Sequence, residues 1–323
     1  MRGPDESAGA EQAQTPSPPD RRILLGAALA AAALALAGRT HAAPALAPAL
    51  ATGPLPGGLT LITGAGGNVV VARGPGGAVM VDCGHADQAD ALVALTLQSA
   101  GARQVATLFN TCWRLEQTGG NDLLAARGAR ILAHENTRLW MGEEIASRWE
   151  DKVYPARAPA ARPTQTIYTT ATLPLGAETI DYGYLLQAHT DGDIYVFFRK
   201  ANVLVVGGAV AGRGWPVIDW STGGWIGGHV RGLETLIKLA DAKTVIVPAD
   251  GPILTRADLE AQHAMFVAIM TRLQQLLEGG AGVADVLKAA PAADYMADKG
   301  DPTLFLTLAF KSFWGHARQF KAI

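Results

Sequence analysis

The chain has 323 residues, 49% of them hydrophobic and only 17% charged, with a formal net charge of −2. That balance supplies apolar material for a sizeable core and excludes a collagen-like or intrinsically disordered chain. No Lys/Arg cluster or basic stripe interleaved with aromatics is present, which excludes nucleic acid as a partner, and two cysteines are too few for a disulfide framework.

Residues 1–20 are polar and rich in Pro, Gln and Glu, and read as disordered. Arg21-Arg22, an uncharged apolar run over 23–37 and the small residues around Ala42-Ala43 then form an export signal spanning 1–42, cleaved near Ala42 or Ala43. The run is short of the roughly 20 residues a transmembrane helix needs. The Arg pair is similar to a twin-arginine signal, although Asp20 precedes it; an ordinary secretory signal or an uncleaved anchor is the alternative. A periplasmic or secreted location follows from any cleaved form. Residues 43–57, rich in Ala and Pro, read as a linker.

The remainder, 58–323, reads as one α/β domain with a helical C-terminal extension. Short apolar strands are predicted over 59–63, 68–72 and 78–82, a helix over 86–100, a strand over 105–110, a helix over 122–127 and a strand over 130–133. Residues 134–152 are predicted helical, and 153–166, with three prolines, a loop. Strands are predicted over 178–187, 193–198, 203–206 and 244–247, the last preceded by a helix over 228–241. From residue 256 the pattern is helical, broken at Gly279-Gly280; these helices cover the outer face or serve a dimer interface. Helices alternating with strands place a site on the loops at the strand ends.

Those loops carry a family resemblance. Phe109-Asn110-Thr111-Cys112-Trp113-Arg114-Leu115-Glu116-Gln117-Thr118-Gly119-Gly120-Asn121 resembles the metal-binding loop of the metallo-β-lactamase superfamily, Asn-Thr-His-x-His-x-Asp-His-x-Gly-Gly-Asn. Val81-Asp82-Cys83-Gly84, the step from Gly128 to Asn136, His189-Thr190-Asp191-Gly192-Asp193, Trp215-Pro216-Val217-Ile218-Asp219 and Val247-Pro248-Ala249-Asp250-Gly251-Pro252 are similar to further family segments, in the family's order. The resemblance implies an αββα sandwich, two mixed sheets packed face to face and flanked by helices. It also implies a cleft formed by Asp82, Cys112, Trp113, Arg114, Glu116, Gln117, His189, Gly208 and Asp250.

The family's zinc ligands fall at Cys112, Arg114, Glu116, Gln117, His189, Gly208 and Asp250, and of these only His189 keeps the family's residue. Cys112, Glu116 and Asp250 are competent ligand types, Gln117 is a poor one and Gly208 offers no side chain. Arg114 cannot coordinate, and its fixed charge would repel a cation about 4 Å away by several kcal/mol in a partly buried site. No metal is therefore expected, Arg114 taking over the lost positive charge among Glu116, Asp250 and Asp191. The alternative is a single zinc ion on Cys112, Glu116, His189 and Asp250.

Candidate catalytic residues are His189, Cys112 and Asp250. For His189 a purely hydrogen-bonded structural role is the competing reading. Cys83 and Cys112, at neighbouring strand ends, are expected to bridge in an oxidising compartment, or else to be two buried thiols; a Cys112 thiolate beside Arg114 with His189 as base is a third reading. Trp113, Trp215, Trp220 and Trp225 fall on cleft-side loops, as core or as an apolar ligand wall. His85, His134, His229, His263 and His316 lie outside the ligand positions, and the Gly207-Gly208 and Gly223-Gly224 segments lack the Lys-Ser/Thr of a phosphate loop. Three functions compete: an exported pseudo-hydrolase binding a small molecule or partner protein in the periplasm, a hydrolase with an unusual single metal or none, and a subunit acting only through its surface, beside an intact homologue.

Overall fold

Short β-branched runs separated by glycine turns lay down the first sheet. The computed structural model describes residues 49–316, so the export signal expected at 1–42 lies outside the described residues. Strands β1 (Ala51–Pro54), β2 (Thr60–Thr63), β3 (Val69–Gly74) and β4 (Gly77–Val81) form an antiparallel meander. Helix α1 (Ala89–Ala100) then carries the chain to β5 (Val105–Phe109), parallel to β4. Helices α2 (Leu115–Thr118) and α3 (Asn121–Ala126) lead to β6 (Arg130–His134), parallel to β5. After α4 (Glu135–Trp140), β7 (Ile145–Ser147) and β8 (Lys152–Tyr154) make a separate hairpin, and β9 (Gln165–Ile167) closes a seven-stranded sheet in the order β1-β2-β3-β4-β5-β6-β9.

The second sheet is β10 (Thr170–Leu175), β11 (Glu178–Tyr184), β12 (Ile194–Phe198), β13 (Val203–Gly207) and β14 (Val245–Pro248), adjacent in that order. It is antiparallel except for the last pair, whose parallel crossover requires an intervening helix, α5 (Ile226–Leu239). Helices α6 (Arg256–Glu278), α7 (Val283–Ala289), α8 (Met296–Lys299) and α9 (Thr303–Ser312) follow.

The pleat sorts side chains into layers. Along β4, Val79 and Val81 enter the cluster between the sheets with Phe109, Leu132, Ile180, Val196, Val205 and Val247. Ala78 and Met80 point the other way, under Leu92 and Val93 of α1. Outside the second sheet, Leu204 and Ile246 pack against Leu233 and Leu236 of α5, Phe266 of α6 and Phe305 of α9. Two mixed sheets thus lie between helical layers, as an αββα sandwich. Each fully buried Phe, Leu or Ile contributes about 1.5–3 kcal/mol against exposure. No helix among the described residues is long and apolar enough to cross a membrane.

Three expectations are corrected. Residues 51–54, placed in the linker, pair with β2 as an edge strand. The helix expected over 134–152 stops at Trp140: His134 Nδ1 caps it by accepting from the Asn136 N–H, and the chain then turns at Gly142 into the hairpin, with Asp151 at a positive φ of 50°. The loop expected over 153–166 ends in β9, and β10 follows without having been anticipated, because prolines hid both.

Candidate functional site

The loop after β5 is held by residues that stand outside the superfamily's ligand positions. Asp82, at the end of β4 with φ 63°, accepts from the Thr111 N–H and the Thr111 hydroxyl, both at 2.7 Å. Burial pushes its pKa up to about 8 against the lowering effect of those two bonds. Asn110 and Asn121 exchange amide hydrogen bonds at 3.1 and 2.9 Å; Asn110 also donates to the Gln117 carbonyl, and Asn121 to the Ala161 carbonyl. The Thr118 hydroxyl donates to the carbonyls of Trp113 and Arg114. Glycine is required at 119 and 120, where a Cβ would come within 2.5 Å of the Gly84 oxygen and 2.8 Å of the Cys83 oxygen.

On this frame Arg114 projects into a box of aromatic rings and carboxylates. Its guanidinium lies 5.5, 5.3 and 5.8 Å from the ring centres of Trp113, Trp149 and Tyr154. Nη2 and Nη1 donate to the two oxygens of Glu150 at 2.6 and 3.4 Å; Nε is 3.5 Å from Glu116 and Nη1 is 3.9 Å from the fully buried Asp219. Burial works against the charge, but the hydrogen bond to Glu150 and the charges of Glu116 and Glu150 outweigh it, and Arg114 stays protonated. The expected partners differ in part. Glu116 is one; Asp250 and Asp191 are not. Asp191 accepts from Trp140 Nε1 at 2.6 Å, and burial raises its pKa to about 6. Asp250 is exposed at the mouth of the cleft and has no ion-pair partner among the described residues.

A cleft of about 350 Å³ gathers Arg114, Glu116, Gln117, His189, Gly208 and Asp250. Of the expected cleft residues, Asp82 is buried beneath it in the frame, Cys112 is fully buried, and Trp113 instead lines a separate cavity of about 290 Å³ with Trp140 and Tyr154. Trp215 forms a cleft wall, stacked on Phe305 at 4.9 Å. Trp220 lies on another cavity, and Trp225 is buried against His316. Among the other histidines, His263 pairs with Glu234, His134 stacks on Tyr184, and His229 is fully buried with neither ring nitrogen hydrogen-bonded.

Whether these residues suit the superfamily's metal can be judged from their contacts. His189 Nδ1 is 3.3 Å from Asp193 Oδ1, and a Cβ on Gly208 would sit 2.7 Å from that same nitrogen, so the space of a bridging carboxylate is taken by the imidazole. Gln117 Oε1 accepts from the Cys112 thiol at 3.4 Å, and Arg114 is saturated by acids. Among the described residues one cluster has three metal-competent groups within 4.8 Å of one another: Cys112, His189 and Asp193. Glu116 and Asp250 do not join it. Asp193 already accepts from the Thr190 N–H and hydroxyl, and burial, reinforced by Asp193, holds the Cys112 thiol well above the ordinary range. A two-zinc site does not fit, and a single catalytic zinc fits poorly.

The expected Cys83–Cys112 bridge is absent: both are free buried thiols. Cys83 donates within the frame, toward Gln117 O and Asn121 Oδ1, whereas Cys112 turns to the Gln117 side chain, so the sulfurs serve different neighbours. Sequence reasoning also missed Glu150, Asp219 and Asp193 as contact partners. Asp193 had a signal in the His-Thr-x-Gly-Asp segment and Asp219 in the segment from Trp215 to Asp219, whereas Glu150 had none.

Residues 62–228, just over half of the chain, match the metallo-beta-lactamase superfamily. No curated protein matches. Among solved structures, a metallo-beta-lactamase from Pontibacter korlensis is 16% identical, with 68% of this chain and 99% of that one covered and a TM-score of 0.54. The DIM-1 metallo-beta-lactamase is 20% identical, with 68% and 97% covered and a TM-score of 0.53. The stereoselective inverting sec-alkylsulfatase Pisa1 from Pseudomonas sp. is 12% identical, with 80% of this chain and 49% of that one covered and a TM-score of 0.61. At such identities the likeness is one of fold.

Proposed function

Because the chain belongs to the metallo-β-lactamase superfamily, we propose that it is an exported member whose cleft binds a small-molecule ligand without a catalytic metal. The observation that carries this reading is the environment of Arg114. A residue at a position where the superfamily places a metal-binding imidazole is a permanent cation, tied to Glu150, Glu116 and Asp219 and enclosed by three aromatic rings. The ligand would meet Gln117 and His189 on one side and the rigid Trp215 wall on the other. A partner protein in the periplasm engaging the same mouth is the wider form of the reading.

Zinc analysis of protein purified without chelator, alongside β-lactam and ester hydrolysis assays, tests it. Less than stoichiometric zinc and no zinc-dependent turnover are expected. A full equivalent of zinc bound through His189 overturns the proposal.

The convergence of Cys112, His189 and Asp193 favours a second reading, a hydrolase with one metal on those three side chains. Cobalt(II) substitution separates the two. Under the second reading a thiolate-to-metal absorption band appears and is lost in Cys112→Ser; under the first no such band forms.

A further inference from the structure

We infer that the protein has a second small-molecule site, for a planar apolar anion such as an aromatic carboxylate or sulfonate, in the cavity that shares Trp149 with the Arg114 box. This cavity of about 440 Å³ lies where the β7–β8 hairpin, the turn after Asp219 and the end of α9 meet. Its size falls within the range of small-ligand pockets, roughly 300–1,000 Å³. Trp149, Trp220 and Trp314 line it from three separate segments, and Trp220 and Trp314 are 39% and 60% exposed. Trp149 meets Arg114 and Trp314 meets Phe310 edge-on, yet the exposed parts of Trp220 and Trp314 still offer indole surface to a ligand in this hollow.

Charge selects the occupant. Arg148 and Lys311 also line the cavity, and neither has an ion-pair partner among the described residues, in a chain whose net charge is −2. The acids that adjoin the lining residues Trp149 and Trp220 are engaged elsewhere: Glu150 holds Arg114, and Asp219 faces Arg114 and accepts from the Ser221 hydroxyl. Bare phosphate would leave the indoles unused, and a neutral ring would leave the cations unused. A ring with an attached carboxylate or sulfonate uses both.

The test is titration of full-length protein with 2-naphthalenesulfonate, followed by tryptophan fluorescence and calorimetry, with neutral 2-naphthalenemethanol in parallel. One saturable site is expected, at least about tenfold tighter for the sulfonate, an increment in line with charge-assisted contacts. Arg148→Ala combined with Lys311→Ala should bring the sulfonate down to the affinity of the alcohol. Trp314→Ala, a change at an exposed ring, should weaken both compounds. Arg213→Ala, in the cleft, should alter neither. Equal affinity for the two probes, or sulfonate binding untouched by the double variant, overturns the proposal. So does retention on anionic vesicles without binding of the soluble sulfonate, or binding that emerges only after removal of residues 317–323.

Discussion

Replacing an imidazole by a guanidinium turns a position that accepts a cation into one that must be surrounded by anions. Arg114→Ala leaves Glu116, Glu150 and the fully buried Asp219 facing one another without their cation. Truncating one member of a buried ion pair costs about 3–5 kcal/mol, and the partial exposure of Glu116 points to the lower end. Urea unfolding should register a loss of about 3 kcal/mol, with Arg114→Lys recovering less than half, since an ammonium cannot form the two-pronged contact or stack as well. An unchanged unfolding midpoint in Arg114→Ala would remove Arg114 from the centre of the site. Gly208→Asp reinstates an acid at the superfamily's bridging position, yet its Cβ would press on His189 Nδ1. A lower melting temperature, equivalent to about 1–3 kcal/mol of overpacking, and no rise on adding zinc are expected. Arg114, Glu116, Gln117, His189, Gly208 and Asp250, which the motif register set at the superfamily's ligand positions, line one cavity. The register could not reveal Glu150 or Asp219 as partners of Arg114, because ion pairs between residues 36 or more positions apart leave no local trace.

Among the elements, the β7–β8 hairpin belongs to neither sheet and rests on its own small cluster, in which Ile145 and Tyr154 meet Trp113 and Met141. Glu150, between its strands, fastens it to the loop after β5 through Arg114. Elements with few buried apolar contacts open at lower free energy than core strands. In Glu150→Ala, hydrogen exchange at residues 145–154 should quicken at least tenfold while β4, β5 and β13 keep their protection; uniform acceleration would mean that the hairpin is part of the global core. Most strands of the sandwich were legible as apolar runs with a period of two or none, as in 105–110 and 203–206. The hairpin was not: its strands are three residues long, too short for any periodicity to separate them from a helix.

For the molecule as a whole, two buried groups pull stability in opposite directions with pH. Asp82 is kept protonated in the fold up to about pH 8, so the unfolded chain releases its proton first and Asp82 lowers stability as pH rises from about 4 to 8. Burial, with His189 adding to it, lowers the His229 pKa to about 4, so only the unfolded chain gains that proton as pH falls from about 6.5 to 4, and stability falls with it. His229→Phe, placed beside Phe266, leaves the Asp82 contribution untouched and removes the other. Between pH 7 and pH 5 the wild type should lose about 2 kcal/mol relative to this variant in urea unfolding; parallel profiles would show that His229 titrates normally. At the same scale belongs the proposed export: N-terminal sequencing of periplasmic material should begin near Ala42 or Ala43, and full-length protein confined to the cytoplasm would contradict it. The loop that carries Arg114 has a last consequence. Its path is held by Asp82, Asn110, Thr111, Thr118 and Asn121, none of which stands at a ligand position, while the side chains at 112, 114, 116 and 117 contribute nothing to those bonds. Inheritance of the loop's shape and inheritance of its chemistry are therefore uncoupled. Side chains at the ligand positions can change without touching the bonds that set the loop's path, even where, as at Arg114, the exchange alters ion pairs elsewhere.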